Sequence, residues 1–508
     1  MTRGATLGVD IGTSSSKGVL VGDDGAIIAG AVREHEVERP APGHVEMDGR
    51  IWWREFVELA RELTGAHPDV AVTAVGVSGM GPCVLLTTRD GEPVRPGILY
   101  GVDTRAGDEI AAIEAELGPE TVTRVGGSSL TSQAAGPKIA WVRAHEPEAY
   151  ARAERLFMPA SWLAWHLTGA YVLDHHSASQ ATPLYDIEAN AWVDDWAARI
   201  APGIELPALA WAGDIAGTVS EAAAAETGLP AGIPVIAGTI DAWSEAASVG
   251  ALEPGDLMLM YGTTMFLVAT TDGALRTPSM WTTAGLRPGA SCLAGGMATS
   301  GALTAWLREL TGGADYPALL AEAEASGPGA RGIQMLPYFA GERTPIQDPD
   351  ARGVIAGLTL SHTRGDLYRA ALEATAYGVR HNIETMRAAG ADIRRIVAVG
   401  GGTQGRLWTQ IVSDLTGMPQ QLARSSIGAS YGAAWLAAAA RAEDAGESAP
   451  RIADWNPIES LVEPDPARRA DADAGYRRHL ELYAGTADVV HDLAARQRAA
   501  SAPSEGAP

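Results

Sequence analysis

The 508-residue sequence is short of basic charge: 38 lysines and arginines stand against 62 aspartates and glutamates, a formal net charge of −24. That deficit argues against a protein that binds nucleic acid or an anionic membrane through its overall field, and leaves polyanions only a local basic or amide-rich site. Lysine is nearly absent. Only Lys17 and Lys138 occur, against a background of arginine that GC-rich coding explains. Cysteine is scarce too: Cys83 and Cys292 lie far apart, which indicates neither a disulfide framework nor a zinc site and suits a reducing cytoplasm. No stretch approaches about 18 consecutive apolar residues, so no membrane-spanning helix is expected. Met1-Thr2-Arg3-Gly4 leads straight into a strand-like run at Ala5, so no signal peptide is expected. What is present is ordinary for a globular chain: 46% of residues are hydrophobic and 20% charged, enough to fill two or three domain cores.

Short apolar runs (Thr6–Asp10, Gly18–Gly22, Val72–Ser78, Val235–Gly238, Leu257–Tyr261, Ile396–Gly400) alternate with helical stretches such as Leu367–Arg387, the pattern of an α/β fold. The alanine-rich run Ala433–Ala440 reads as a closely packed helix, residues 469–500 as an amphipathic helix and Ser501–Pro508 as a frayed end. A weak internal repeat is visible. Leu7-Gly8-Val9-Asp10-Ile11-Gly12-Thr13-Ser14 is followed by an apolar run and an Asp-Gly turn; so is Leu257-Met258-Leu259-Met260-Tyr261-Gly262-Thr263-Thr264. Two related domains facing each other across a cleft follow from this, with boundaries expected at 1–250, 251–445 and a helical extension over 446–508.

Each Gly-Thr-Ser/Thr hairpin loop is suited to oxyanions. Glycine allows close backbone approach, and exposed amides with flanking hydroxyls form a concave anion site. One such loop alone reads as a plain turn; two in matched positions point to a polyphosphate held by Gly12, Thr13, Ser14, Gly262, Thr263 and Thr264. Lys17 adds a point charge beside the first loop. Asp10, ending the first strand, suits Mg²⁺ held through water. Gly400-Gly401-Gly402-Thr403-Gln404-Gly405 forms a strand-to-helix turn on which a nucleotide can pack, although it lacks dinucleotide-binding spacing. Phosphoryl transfer to a hydroxyl also needs a base. Asp241, after the strand Pro234–Ala237, fits that role, and equally fits a helix N-cap. His175-His176 resembles a metal pair without a third ligand and reads better as a loop contact.

Taken together, these segments resemble the FGGY family of carbohydrate kinases, within the sugar kinase/actin/heat-shock chaperone ATPase fold, over nearly the whole chain to about residue 440. The matching elements are Asp10–Lys17, His44–Asp48 with Trp52-Trp53, Ile98–Arg105, Lys138–Trp141 through Leu167-Thr168-Gly169, Gly341–Pro345, Arg369 with Glu373, and Gly400–Asp414. The resemblance implies two actin-like (ribonuclease H-like) domains and transfer of the γ-phosphoryl group of ATP, with Mg²⁺, to a small sugar, with domain closure excluding water. It places Asp241 at the catalytic base, and Gly301, Gly401 and Gly402 along the adenine–ribose site. Met80, Gly81 and Asp103 would lie near the sugar. The Met-His pair of xylulokinases appears here as Met80-Gly81, and the Arg-Glu pair of glycerol kinases is missing, so a ketopentose such as xylulose is the nearest expectation. Other ketoses, polyols and sugar acids remain alternatives, as does a non-catalytic sugar sensor. A chaperone-type ATPase is disfavoured, because residues 441–508 are too short and helical for a peptide-binding domain. Dimers are common in the family, so a homodimer is the assembly to test; the expected location is cytoplasmic.

Overall fold

The computed structural model describes residues 3–501; the expected frayed tail beyond Ser501 and the leading Met1-Thr2 lie outside the described residues. The chain forms two compact units whose segments interleave. One comprises Met1–Pro254, Thr270–Leu293 and Ser425–Pro457, the other Gly255–Ala269, Ala294–Arg424 and Ile458–Pro508. The switch at Pro254/Gly255 falls at the end of the Gly-Ala-Leu-Glu-Pro-Gly segment. The grouping near the C-terminus differs from a separate 446–508 extension. Residues 425–457 group with the first unit because the helix Ala429–Asp444 packs on the first sheet, whereas the strand Ile458–Val462 pairs with Gln420–Ala423 in the second.

The first sheet is built around runs buried on both faces, with a largely exposed strand, Ile27–Glu34, at one edge. Arg3–Ile11 pairs antiparallel with Ser15–Gly22, which pairs antiparallel with Ile27–Glu34, while Val70–Gly79 runs parallel to the first strand and Pro234–Ile236 parallel to that. One face is covered by the helix Gly49–Ala66. Its apolar residues Trp52, Phe56, Leu59, Ala60 and Leu63 recur at helical spacing and enter the core, and Asp48 caps its start by accepting from the Arg50 amide at 2.9 Å. The other face carries the alanine-rich helix, packed so closely that a Cβ on Gly8 would stand 1.9 Å from the Ser430 carbonyl oxygen. One on Gly76 would stand 2.0 Å from that of Ala433. Small residues on both sides make this approach, which is why the sequence is so rich in alanine there.

The second sheet repeats the same order. Ala290–Met297, Met265–Asp272, Asp256–Tyr261, Arg395–Val399 and Gln420–Ala423 follow one another as the third, second, first, fourth and fifth strands do in the first sheet. Asp256–Tyr261 pairs antiparallel with Met265–Asp272 and parallel with Arg395–Val399, which pairs parallel with Gln420–Ala423, as their counterparts do in the first sheet. The internal repeat seen in the sequence is therefore a repeat of topology. The helix Arg364–Ala388, started by a Thr363/Asp366 capping box, forms the spine of this unit, and Arg469–Ser501 closes its C-terminal side.

Candidate active site

In the first unit three strand ends converge. Asp10 lies opposite Ser78, and Ser78 opposite Thr239, across parallel pairings; one residue further on, Ile11, Gly79 and Ile240 are aligned in the same way. Carboxyl ends of parallel strands are where open α/β sheets place their ligands. Asp241 follows Ile240 as the first residue of the helix Asp241–Ser248. The helix has no side-chain cap, and Asp241 Oδ1 accepts from the Ala242 amide at 2.7 Å, so Asp241 occupies the first turn and is not the capping position. Asp10 Oδ1 accepts from the Ser78 hydroxyl at 2.9 Å. Lys17, directly opposite Asp10 in the antiparallel pairing, shares its face of the sheet.

The electrostatics bind these groups together. Burial, reinforced by the neighbouring Asp241 charge, pushes the Asp10 carboxyl well above its ordinary range, with Ser78 and Lys17 pulling the other way. Burial likewise raises Asp241. A third carboxylate, Glu245, one helical turn beyond Asp241, is pushed up to about 8 by burial and then by the Asp10 and Asp241 charges. Sequence reading passed over Glu245, although its spacing of four from Asp241 in a helical segment was a usable signal.

The first loop is clamped by residues that no spacing rule singled out. His35 donates its amide to the Ser14 carbonyl at 3.1 Å, and its Nε2 lies 3.0 Å from the Gly12 carbonyl oxygen. Its Nδ1 lies 2.9 Å from Glu55 Oε2, which also accepts from the Ser16 hydroxyl at 2.7 Å. Thr13 exchanges a 2.9 Å hydrogen bond with the Tyr100 hydroxyl. The Leu99 and Tyr100 carbonyls in turn accept from buried Lys138 Nζ at 2.6 and 2.8 Å. Burial lowers that ammonium to about 8. Lys138 is therefore structural and supports a segment that touches the loop.

Sugar-side expectations divide. Met80 is buried in the core, with its amide donating to the Ile11 carbonyl at 2.7 Å, and Gly81 packs on Ile240, where a Cβ would come within 2.7 Å of the Ile240 side chain. Both flank Asp241. Asp103 corrects the expectation of a sugar contact: it is fully buried, accepts from the Val45 amide at 2.6 Å, and pairs with Arg105 at 2.7 Å, so its oxygens are occupied by protein. The His175-His176 pair is likewise structural. His176 Nδ1 donates to the Ala284 carbonyl at 2.9 Å, its Nε2 accepts from Gln180, and its ring stacks on Trp243; His175 bonds the Tyr185 hydroxyl at 2.8 Å.

In the second unit, Gly262, Thr263, Gly301, Gly401 and Gly402 line one cavity of about 610 Å³, walled by apolar side chains that include Leu320, Tyr368 and Leu372. Its size and character suit a small-molecule ligand. The second loop is backed by the start of the helix Gly301–Leu310. The Gly301 amide donates to the Gly262 carbonyl at 3.0 Å, and those of Ser300 and Ala302 donate to Thr263. Only glycine fits at 301, since a Cβ would lie 2.6 Å from the Gly262 oxygen. Thr264 completes the turn by accepting from the Gly262 amide at 3.1 Å. In both units, then, neighbouring donors occupy carbonyls of the Gly-Thr loop, which favours an anion at its amide side.

Comparison with known proteins matches residues 5–250 to the N-terminal domain, and residues 257–441 to the C-terminal domain, of the FGGY family of carbohydrate kinases. The chain belongs to this family. It is a carbohydrate kinase, a phosphotransferase that uses ATP and an alcohol group as acceptor. It is 30% identical over 437 residues to a xylulose kinase of Escherichia coli K12, covering 85% of this chain and 89% of the relative. It is also 31% identical over 443 residues to a glycerol kinase of Nocardia farcinica, covering 81% and 85%. The solved xylulose kinase of Rhodospirillum rubrum superposes with a TM-score of 0.88 at 32% identity, over 96% of this chain and all of that one. The two-domain α/β fold of the family is thereby established for this kinase.

Magnesium fits the first unit in one manner only. Asp10, Asp241 and Glu245 are hard oxygen donors whose mutual repulsion a cation would relieve. Among the described residues, however, no group of three His, Cys, Asp or Glu side chains could hold a metal ion directly. A hydrated Mg²⁺ contacted through its waters meets both observations.

Proposed function

We propose that this kinase phosphorylates a ketopentose such as xylulose, with Asp241 as the catalytic base. The observation that carries the reading is the placement of Asp241: a half-buried carboxylate just past a parallel strand end, following the Ile240 on which Gly81 packs, with Oδ1 alone engaged, by the Ala242 amide, among the described residues. Burial raises its proton affinity toward the range in which a carboxylate accepts a hydroxyl proton near neutral pH. As that proton passes to Asp241, the hydroxyl oxygen attacks the γ-phosphorus and the bond to the β–γ bridging oxygen breaks, leaving ADP.

Under this proposal the second unit's cavity at Gly262, Thr263, Gly301, Gly401 and Gly402 takes the nucleotide, and Gly12, Thr13 and Ser14 form the first unit's phosphate loop. Asp10 and Lys17 orient the phosphoryl group. Mg²⁺, held through water by Asp10, supplies charge neutralisation on the phosphates when bound. We place the enzyme in the cytoplasm, where ATP is available and its two buried cysteines stay reduced. A homodimer belongs to the same proposal and rests on the resemblance alone; sedimentation velocity tests it.

Xylulose is favoured because curated and structural relatives named as xylulose kinases cover most of the chain. The match to glycerol kinases keeps polyols as the second reading. The test is Asp241→Asn. Turnover should fall by about 10²–10⁴-fold while ADP binding persists. Unchanged turnover would overturn the assignment of the base.

A further inference from the structure

The first Gly-Thr loop presents a hydroxyl that a distant residue fixes in place. Thr13 Oγ1 and the Tyr100 hydroxyl stand 2.9 Å apart, and both residues are half-buried. The backbone under Tyr100 is tied down from several directions. Its carbonyl accepts from buried Lys138 Nζ at 2.8 Å and from the Asp103 amide at 2.9 Å. The next residue is held as firmly: the Gly101 amide donates to Gln133 Oε1, and the Gly101 carbonyl accepts from the Ser132 hydroxyl, both at 3.0 Å. A phenol so anchored dictates where the smaller, more mobile threonine hydroxyl turns.

Each hydroxyl has one proton to give and two lone pairs to accept with. The phenol, with a pKa of about 10, is the more acidic partner and the better donor. With Tyr100 donating to Thr13 Oγ1, the Thr13 proton is left for a third group. The rest of the loop shows what that group is. His35 takes up the carbonyls of Gly12 and Ser14, while the Thr13 and Ser14 amides donate to no protein acceptor among the described residues. Two adjacent amides and a hydroxyl proton together suit an oxyanion. The loop also leaves the sheet from the same row as the base. Ile11, which precedes Gly12, and Ile240, which precedes Asp241, both register with Gly79 of the strand between them. That separation is two strand spacings, about 10 Å, which an acceptor hydroxyl and the phosphoryl group it attacks can bridge.

Given the reading of Gly12–Ser14 as a phosphate loop, we propose that Tyr100 is a positioning residue for phosphoryl transfer. It donates to Thr13 Oγ1 and so aims the Thr13 proton at the terminal phosphate of ATP, the one that is transferred. Its hydroxyl acts only through Thr13, and Lys138 serves the same end by fixing the Tyr100 backbone.

The experiment is titration calorimetry of the full chain, with Mg²⁺ and either the β,γ-imido analogue of ATP or ADP. Wild type, Tyr100→Phe, Thr13→Val and the double variant are compared. Tyr100→Phe keeps the ring and removes only the hydroxyl. The analogue should bind about 3–10-fold more weakly to Tyr100→Phe and about 10–100-fold more weakly to Thr13→Val. ADP, which lacks the terminal phosphate, should bind both variants as it binds wild type; a merely structural loss would weaken both ligands alike. Because the phenol acts through Thr13, the double variant should bind the analogue no more weakly than Thr13→Val alone. Losses that multiply in the double variant, an unchanged affinity of Tyr100→Phe for the analogue, or an equal loss for ADP would overturn the role of Tyr100. Failure of wild type to bind the analogue, or Thr13→Val binding it as wild type does, would overturn the phosphate-loop reading and the proposal with it.

Discussion

Gly401→Ala separates a nucleotide site from a mere surface hollow. Gly401 lines the 610 Å³ cavity, its backbone is outside the left-handed region, and an added Cβ meets no protein atom within 4 Å. The substitution should therefore shift the stability of the unliganded protein by no more than about 0.5 kcal/mol. If the adenine–ribose portion of ATP packs against this backbone, the methyl group occupies ligand space. Overpacking at a close contact costs about 1–3 kcal/mol, and each 1.4 kcal/mol is roughly tenfold in affinity. At a nucleotide concentration about 100 times the wild-type Kd, ligand stabilisation of about 2.7 kcal/mol should fall to about 1.4 kcal/mol for a tenfold weaker variant. Thermal unfolding with and without ADP reads both quantities in one experiment. Gly301→Ala provides the contrast: its Cβ would stand 2.6 Å from the Gly262 carbonyl oxygen, so it should lose intrinsic stability together with binding. Equal ADP stabilisation of Gly401→Ala and wild type would refute the placement of the nucleotide.

Other consequences follow from the same geometry. Gly76→Ala drives a methyl into the Ala433 carbonyl at 2.0 Å, and urea unfolding should show a loss of at least about 1–3 kcal/mol; an unchanged midpoint would contradict the close helix–sheet approach. Glu245 has its proton affinity raised from the ordinary 4.5 to about 8, so the folded state binds that proton more tightly than the unfolded chain does. The resulting stability is present at low pH and lost as pH rises through that window. Glu245→Gln should accordingly gain Tm over wild type at pH 8.5 but not at pH 4.5, and equal differences at the two pH values would sink the argument. His35→Ala removes the ring contacts to the Gly12 carbonyl and to Glu55 while keeping the backbone bond to Ser14, and a loosened loop should lower kcat/KM for ATP by about 10–100-fold while the sugar KM stays near wild type. A symmetric loss for both substrates would show that His35 serves general packing.

The local features were legible in the sequence. Both Gly-Thr loops, the strand-end position of Asp10 and Asp241, and the strand–turn–helix at Gly400–Gly405 are short-range patterns, and the repeat at 7–14 and 257–264 anticipated a repeated sheet order. The residues missed are those whose roles arise from distant partners. His35 reaches the loop from just past the third strand, Tyr100 reaches Thr13 across 87 positions, and Glu55 ties His35 to Ser16 from the first helix. Asp103 failed for the same reason. Its motif suggested a polar contact, but nothing in the spacing revealed that Val45 and Arg105 already fill its acceptor sites. The interleaving near residue 425 was hidden too, because a helix of small residues can pack on either sheet until the glycines at 8 and 76 are seen beneath it.

The most direct measurement is ADP release by the purified protein with MgATP across a panel of ketoses, polyols and sugar acids, with Asp241→Asn alongside. The account predicts a strong response to xylulose or a closely related ketopentose that vanishes in the variant. ADP release that is independent of every sugar, or a sugar response that survives in Asp241→Asn, would contradict it.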